Sequence, residues 1–415
     1  MIMRALAVGL ALLIAPIAVA ELRGHGGPVR AVAVLADGSI VSGSFDTVVI
    51  RWDAARGAAI AVLRFHQGSV NAVAALPDGR FASAGEDAVI AVWSPGRTEP
   101  DAVLRGHQGP IVALAARRSL LASASWDRSV RVWDVAAGTA RVLEGHADNV
   151  NGVAFLPDGR VASASYDTTI RLWRADGTAD VHGMGAALNA LAAAPDGTLH
   201  AAGADGQLHV LAPDGTAATI PVGAMPLITV AADATRVAAG GLRGSVSVFR
   251  TSDRAQLFAL DGPGLPVWSV AFAADGTRIV TGGTDRRVRL WDGATGRHVG
   301  AVANDDEPDL PAALAAHPGA EVWRACRACH TLTSDTANRA GPSLQGVLGR
   351  RIASLPGYDF SPALRHMDIV WSPETVSRLF ELGPNAYLPG TKMPEQTLGA
   401  AERAALVDFL ARAAQ

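Results

Sequence analysis

Cysteine is nearly absent from this chain: Cys326 and Cys329 are its only two in 415 residues. Two cysteines build no disulfide framework, and they leave no second pair at the spacing a zinc finger needs. Lysine is scarcer still, since Lys392 stands alone and arginine carries the remaining positive charge, a bias that reads as codon usage. An excess of positive charge is also missing. The formal net charge is −3, which gives no electrostatic case for nucleic-acid binding, since that case needs a basic face. What the chain has in quantity is apolar residues, at 49%, enough for packed cores in a chain too long for one ordinary domain.

The first twenty residues read as a secretory signal. Arg4 supplies the positive end, Ala5 to Ile17 the apolar stretch, and Ala18-Val19-Ala20 a small-x-small cleavage site. The apolar run is short for a bilayer span, so cleavage before Glu21 is expected, with export to the periplasm and no membrane span in the mature chain.

The two cysteines lie in Cys326-Arg327-Ala328-Cys329-His330, a C-x-x-C-H motif that reads as a c-type haem attachment site. Two thiols three positions apart can each add to a haem vinyl group, and His330 then offers an imidazole nitrogen to the iron. One covalent haem c is therefore expected.

Between Glu21 and Ala303 the chain repeats. Gly24-His25, Gly106-His107 and Gly145-His146 open units, with Phe65-His66 as a variant; the units close near Trp52-Asp53, Trp93, Trp133-Asp134 and Trp173. The period is about forty residues, and Asp-Gly turns separate short apolar strands. Val210 and Phe249 replace tryptophan in units five and six, and the pattern returns at Trp291-Asp292. These repeats resemble the WD40 family, which implies an all-β, seven-bladed propeller over 21–303. Each of the first four units carries a His/Ser/Asp/Trp set, such as His107, Ser123, Asp127 and Trp133. A serine nucleophile needs one exposed site with an oxyanion hole, so four copies read as buried hydrogen-bond networks and no catalytic residue is assigned. Unit seven keeps Thr281, Asp285 and Trp291 but lacks the histidine. Residues 297–303 are able to complete it, and Glu21-Leu22-Arg23 is very short for the swapped closing strand usual in the family.

Residues 304–311, acidic with two prolines, read as a linker. The stretch 312–415 resembles class I cytochrome c of the mitochondrial and c2 type. The matching residues are Gly341-Pro342-Ser343-Leu344, Gly346 to Arg350, Gly357 to Ser361, Ile369-Val370-Trp371 and Tyr387 to Met393. That resemblance implies an all-α domain in which Met393, rather than Met367, is the second axial ligand beside His330. It further implies that the Pro342 carbonyl holds the far nitrogen of His330, that Arg350, Tyr358 and Trp371 hold a haem propionate, and that Thr391 bonds nearby. Phe380 stands where the family usually has a tyrosine. His317 and His366 read as ordinary exposed histidines.

The expected function is electron carriage, by a cytochrome tethered to a propeller that docks a redox partner of the respiratory chain or a periplasmic oxidoreductase. The competing readings are a haem enzyme or redox-enzyme subunit with a further cofactor in the propeller, as in the layout of some nitrite reductases, and a haem-based redox or gas sensor.

Overall fold

The first six repeats each fold as one four-stranded antiparallel meander in the computed structural model, and the seventh forms three strands of a four-stranded sheet. The structure describes residues 21–262, 264–300, 310–327, 329–333, 340–358 and 360–414; the signal segment and most of the linker lie outside them. Blade one shows the pattern: Val29–Val34, Ile40–Ser44, Val49–Asp53 and Ala58–Leu63 pair in sequence. Its second strand is buried throughout because both faces are covered by neighbouring blades, and small residues let the sheets stack closely. The innermost strands of successive blades pack on one another, and Val29–Val34 meets Val267–Phe272 of blade seven, so seven sheets close a ring.

The acidic turns have a single conformation. After the aspartate the backbone enters the left-handed region at Thr47, Ala88, Arg128, Thr168 and Arg286, with φ from 58° to 70°. The aspartate stabilises this costly geometry by accepting from the amide two residues on, as Asp46 Oδ1 does from Val48 N at 2.9 Å. In blades one to four the repeated pattern of donors is one chain of bonds. In blade four Trp173 Nε1 donates to Ser163 Oγ (2.8 Å), Ser163 Oγ bonds His146 Nε2 (2.7 Å), and His146 Nδ1 meets Asp167 Oδ2 (2.7 Å). Burial alone would raise the Asp167 carboxyl, but the Thr169 hydroxyl, His146 and the Ala147 amide pull it down to about 2. These sets are structural networks, with every partner buried or nearly so.

The sequence left ring closure open between residues 297–303 and Glu21-Leu22-Arg23. Glu21–Arg23, short as it is, forms the outer strand of blade seven, paired antiparallel with Arg287–Asp292. Burial explains why three residues suffice. Leu22 is fully buried, and the Glu21 carboxylate accepts from Arg287 Nη1 (2.7 Å) and Arg289 Nε (3.0 Å). Among the described residues after Trp291, His298 forms a bridge with Trp291 and stacks on its indole, and Val299 N donates to the Leu290 carbonyl.

Among its described residues the C-terminal region carries six helices: α1 (Ala312–Ala315), α2 (Pro318–Cys326), α3 (Pro362–Arg365), α4 (Pro373–Leu382), α5 (Pro384–Tyr387) and α6 (Ala400–Ala413). Helices α2 and α6 cross closely. Gly319 permits the crossing, because a Cβ there would lie 2.2 Å from the Ala405 carbonyl oxygen, and Trp323 stacks on Phe409. His317 is not an ordinary exposed residue: its Nδ1 caps α2 by accepting from Gly319 N, and its Nε2 meets Asp408 of α6 at 2.9 Å. His366 is exposed as expected.

Candidate haem-binding site

Helix α2 delivers Cys326 on its last turn, and the chain then bends so that Cys329 and His330 follow with amides bonded back to the Cys326 carbonyl. A cavity of about 750 Å³ opens beside them. Cys326, Cys329, His330 and Met393 all line it, as do the apolar side chains of Trp323, Leu344, Val347, Ile352, Leu379, Phe380 and Leu406. Met393 faces this cavity; Met367 packs in the surrounding core instead.

His330 is oriented by its surroundings. Its Nδ1 bonds the Pro342 carbonyl oxygen at 2.7 Å, which assigns the proton to that nitrogen and leaves Nε2 as the lone-pair donor. Burial pushes the imidazole pKa down, and the Pro342 bond offsets this only in part, so the ring is neutral at neutral pH. Gly341 presses on its edge, with room for no Cβ. Burial likewise raises the Cys326 thiol to about 11.

The residues expected near a propionate are found together. Tyr358, Trp371, Arg350 and Thr391 all line the cavity. Tyr358 donates to the Ala340 carbonyl (2.6 Å), Arg350 donates to the carbonyls of Ser343 (2.7 Å) and Gln345 (2.9 Å), and the Thr391 hydroxyl accepts from Met393 N (3.2 Å). Arg350 is thus engaged in holding its own loop. The residues fit a haem: a large apolar chamber, two thiols, a neutral imidazole with a fixed tautomer, a thioether, and polar groups at the rim.

One wall was not foreseen. Asp46, Val48, Arg64, Phe65, Gln67, Thr98 and Glu99 of the propeller also line the cavity. The region carrying the haem motif is therefore seated against blades one and two, not merely tethered to them. Lys392 Nζ donates to the carbonyls of Arg64 and His66, both at 2.8 Å, so the chain's one lysine has a structural purpose that a codon-usage reading overlooks. Nothing in the repeat pattern distinguishes Arg64 from other strand-end arginines, and only the packing of two distant segments identifies it.

Comparison with known proteins agrees with both halves. The family WD domain, G-beta repeat, matches residues 17–53, 57–94, 98–134, 138–174 and 254–292. The crystal structure of the WD40 beta propeller domain of Doa1 superposes with a TM-score of 0.60 at 23% identity, covering 66% of this chain and 96% of that one, a likeness of fold. Cytochrome c type-1 of Ascaris suum is 42% identical over 88 residues, 20% of this chain and 75% of that protein. Cytochrome c 2.1 of Caenorhabditis elegans is 42% identical over 96 residues, 22% of this chain and 83% of that protein. The chain thus belongs, through a stretch of about ninety residues, to the cytochrome c family, and the rest of its fold is a seven-bladed propeller of WD40 repeats.

Proposed function

We propose that this protein is an exported single-electron carrier of the class I type, with one haem c attached through Cys326 and Cys329 and ligated by His330 and Met393. The observation that carries the reading is the convergence of these four side chains on one apolar cavity, with His330 held in the ligating tautomer by Pro342. Haem supplies a one-electron couple, and His/Met ligation sets it toward the reduced state. The chain's own part is to exclude water, fix the imidazole and seat Met393 through Thr391. Export to the periplasm fits the N-terminal signal: cleavage before Glu21 leaves the closing strand Glu21–Arg23 whole.

The propeller is read as the docking platform for a redox protein. All seven blades contribute to the mouth of the central channel, where Phe45, Trp126 and Tyr166 are exposed beside Trp268 and Arg30. Exposed aromatics of this kind are typical anchors for a protein partner. Phe45 neighbours Asp46, which lines the haem cavity, so a partner at the mouth lies close to the redox site.

The test is purification from the periplasm, with oxidised and reduced optical spectra and a haem-to-protein ratio after acid–acetone extraction. One haem per chain that resists extraction, with a methionine–iron charge-transfer band, supports the carrier. Extractable haem, a second chromophore, or rapid carbon monoxide binding without the methionine band overturns it in favour of an enzyme or a sensor.

A further inference from the structure

The surface joining the two regions is chemically unlike a passive contact. Arg64 leaves the end of the outer strand Ala58–Leu63 and reaches across to the haem-motif side. Its guanidinium carbon sits 4.1 Å from the centroid of the Tyr358 ring. Its Nε is 3.1 Å from Tyr358 Oη, its Nε and Nη2 each lie 3.3 Å from the Ala340 carbonyl oxygen, and its Nη1 lies 3.3 Å from the Val62 carbonyl oxygen. Tyr358 itself donates to that same carbonyl. A planar cation is thereby stacked, oriented and fixed at the cavity wall.

The backbone around Arg64 is equally fixed. The carbonyls of Arg64 and His66 take Lys392 Nζ, and His66 is locked by Ser83 (2.8 Å) and Asp87 (2.9 Å) in the network of blade two. On the other side, Gly26 of blade one packs against Cys329, and a Cβ at Gly26 would lie 2.0 Å from the Cys329 sulfur. Ala340 N donates to the Gly24 carbonyl at 2.9 Å. Rigid elements of two blades therefore meet Cys329, Tyr358 and the residue preceding Met393.

Haem carries two carboxylates, and the guanidinium fork is the side chain best matched to a carboxylate in a partly dry site. Stacking on Tyr358 pre-organises that fork before any ligand arrives. We propose that the haem site is shared between the two regions: Arg64 of the propeller binds a haem carboxylate, and the Arg64 and His66 carbonyls, acting on Lys392, position the segment that carries Met393. This rests on the haem reading above. Arg64 is thus a cofactor-binding residue from outside the segment that resembles a cytochrome, and Lys392 is a positioning residue.

The test uses the full-length, haem-loaded protein with Arg64→Gln, Arg64→Lys and Lys392→Gln. A haem-to-protein ratio is measured for each, and redox titration follows the fraction reduced. A nearby cation favours the less positive ferrous form. Arg64→Gln is therefore expected to keep its covalent haem while the ratio of reduced to oxidised protein, at the wild-type midpoint, falls about fivefold to tenfold. Arg64→Lys, which keeps the charge, recovers at least half of that shift on a logarithmic scale. Lys392→Gln weakens the methionine–iron band and speeds carbon monoxide binding. A ratio for Arg64→Gln within about twofold of wild type overturns the assignment, as does Arg64→Lys shifting as far as Arg64→Gln, which would make the residue a packing element. An unchanged methionine band in Lys392→Gln overturns the positioning role. Wild-type protein lacking haem would refute the haem reading itself, and the shared site with it, and the haem-to-protein ratio tells that failure apart from the others.

Discussion

Gly341→Ala tests whether His330 is held where the structure puts it. Gly341 is not at a positive φ, so its backbone would accept alanine without conformational strain. The objection is steric. A Cβ at this position would lie 2.6 Å from His330 Cε1, 2.8 Å from Nδ1 and 3.0 Å from the Cys329 carbonyl oxygen. Carbon atoms in contact settle at about 3.5 Å or beyond, so one of these neighbours has to yield by about 0.9 Å. The imidazole is buried and tied to the Pro342 carbonyl at 2.7 Å, and the Cys329 carbonyl accepts from Gly341 N at 2.8 Å, so neither moves freely. Overpacking of this kind costs about 1–3 kcal/mol, and the motion it forces displaces the imidazole or breaks its bond to Pro342. The matched control is Gly346→Ala. Gly346 has φ 58° and no neighbouring atom within 4 Å of a built Cβ, so that variant pays about 1 kcal/mol of backbone strain and leaves His330 untouched. In haem-loaded protein, urea titration with optical and resonance Raman spectra separates the two. Gly341→Ala is expected to lose stability and shift the iron–histidine signature; Gly346→Ala loses stability alone. Unchanged spectra in Gly341→Ala, with a midpoint loss below about 0.5 kcal/mol, would refute the account of how His330 is fixed.

Three further outcomes follow from the propeller. Ser163→Ala strands the Trp173 indole N–H and the His146 Nε2 in a fully buried site and is expected to cost about 2–5 kcal/mol; Trp173→Phe on that background costs less than it does alone, and additive urea-midpoint changes would contradict the network. Glu21→Ala removes the closing partner of buried Arg289, which keeps Asp285, and is expected to cost about 1–3 kcal/mol, with proteolysis beginning in blade seven; equal stability would refute closure by Glu21–Arg23. His200 is held down to about 4 by burial, so the unfolded chain takes up its proton first and stability falls as pH drops from about 6.5 toward 4, by up to about 3 kcal/mol. Asp167, with its pKa depressed to about 2, contributes stability that stays intact until the pH falls below about 3.8 and so does not mask that window. His200→Asn is expected to flatten the acid limb of a denaturation series, and an unaltered limb would show the loss comes from elsewhere.

The blades were legible because their signal is local and repeated. An aspartate that must accept from the amide two residues on, and a tryptophan ten residues after a serine, recur at a fixed period, and the bonds found between them are those the spacing implies. Blades five and six were readable only by period, since Val210 and Phe249 remove the indole. Blade five loses its donor and acceptor together, Ala201 lying opposite His209 where blade four has Ser163 opposite Arg171, and a new His209–Asp205 pair forms instead. Ring closure was not legible, because three residues carry too little pattern to show that Leu22 and Glu21 are buried at the far end of the chain. The cavity-lining cysteines, His330 and Met393 were marked by their motifs. Arg64, Gly26 and the purpose of Lys392 were not, because each depends on a contact between segments about three hundred residues apart.

The charges around the cavity bear on how a partner is chosen. Among the described residues, Arg64, Arg350, Arg351, Arg365 and Lys392 line it, against Asp46 and Glu99, and the two carboxylates of a bound haem would bring that set close to balance. The residues from 304 onward carry ten basic and thirteen acidic side chains, so no strong field extends from this region to steer a charged partner. Long-range steering is the part of association that salt abolishes, since the Debye length falls from about 14 Å to 4 Å between roughly 50 and 500 mM. With steering weak, oxidation of the reduced haem protein by anionic ferricyanide and by a cationic cobalt complex should each change less than about threefold over that range. A change of tenfold or more with the anionic oxidant alone would show that the rim cations act as a docking field, and the channel-mouth aromatics would then lose their place as the main recognition surface. A flat response leaves shape and apolar contact at the propeller as the remaining basis for choosing a partner, and Trp126→Ala should then slow reaction with a protein partner while leaving both small-molecule rates unchanged.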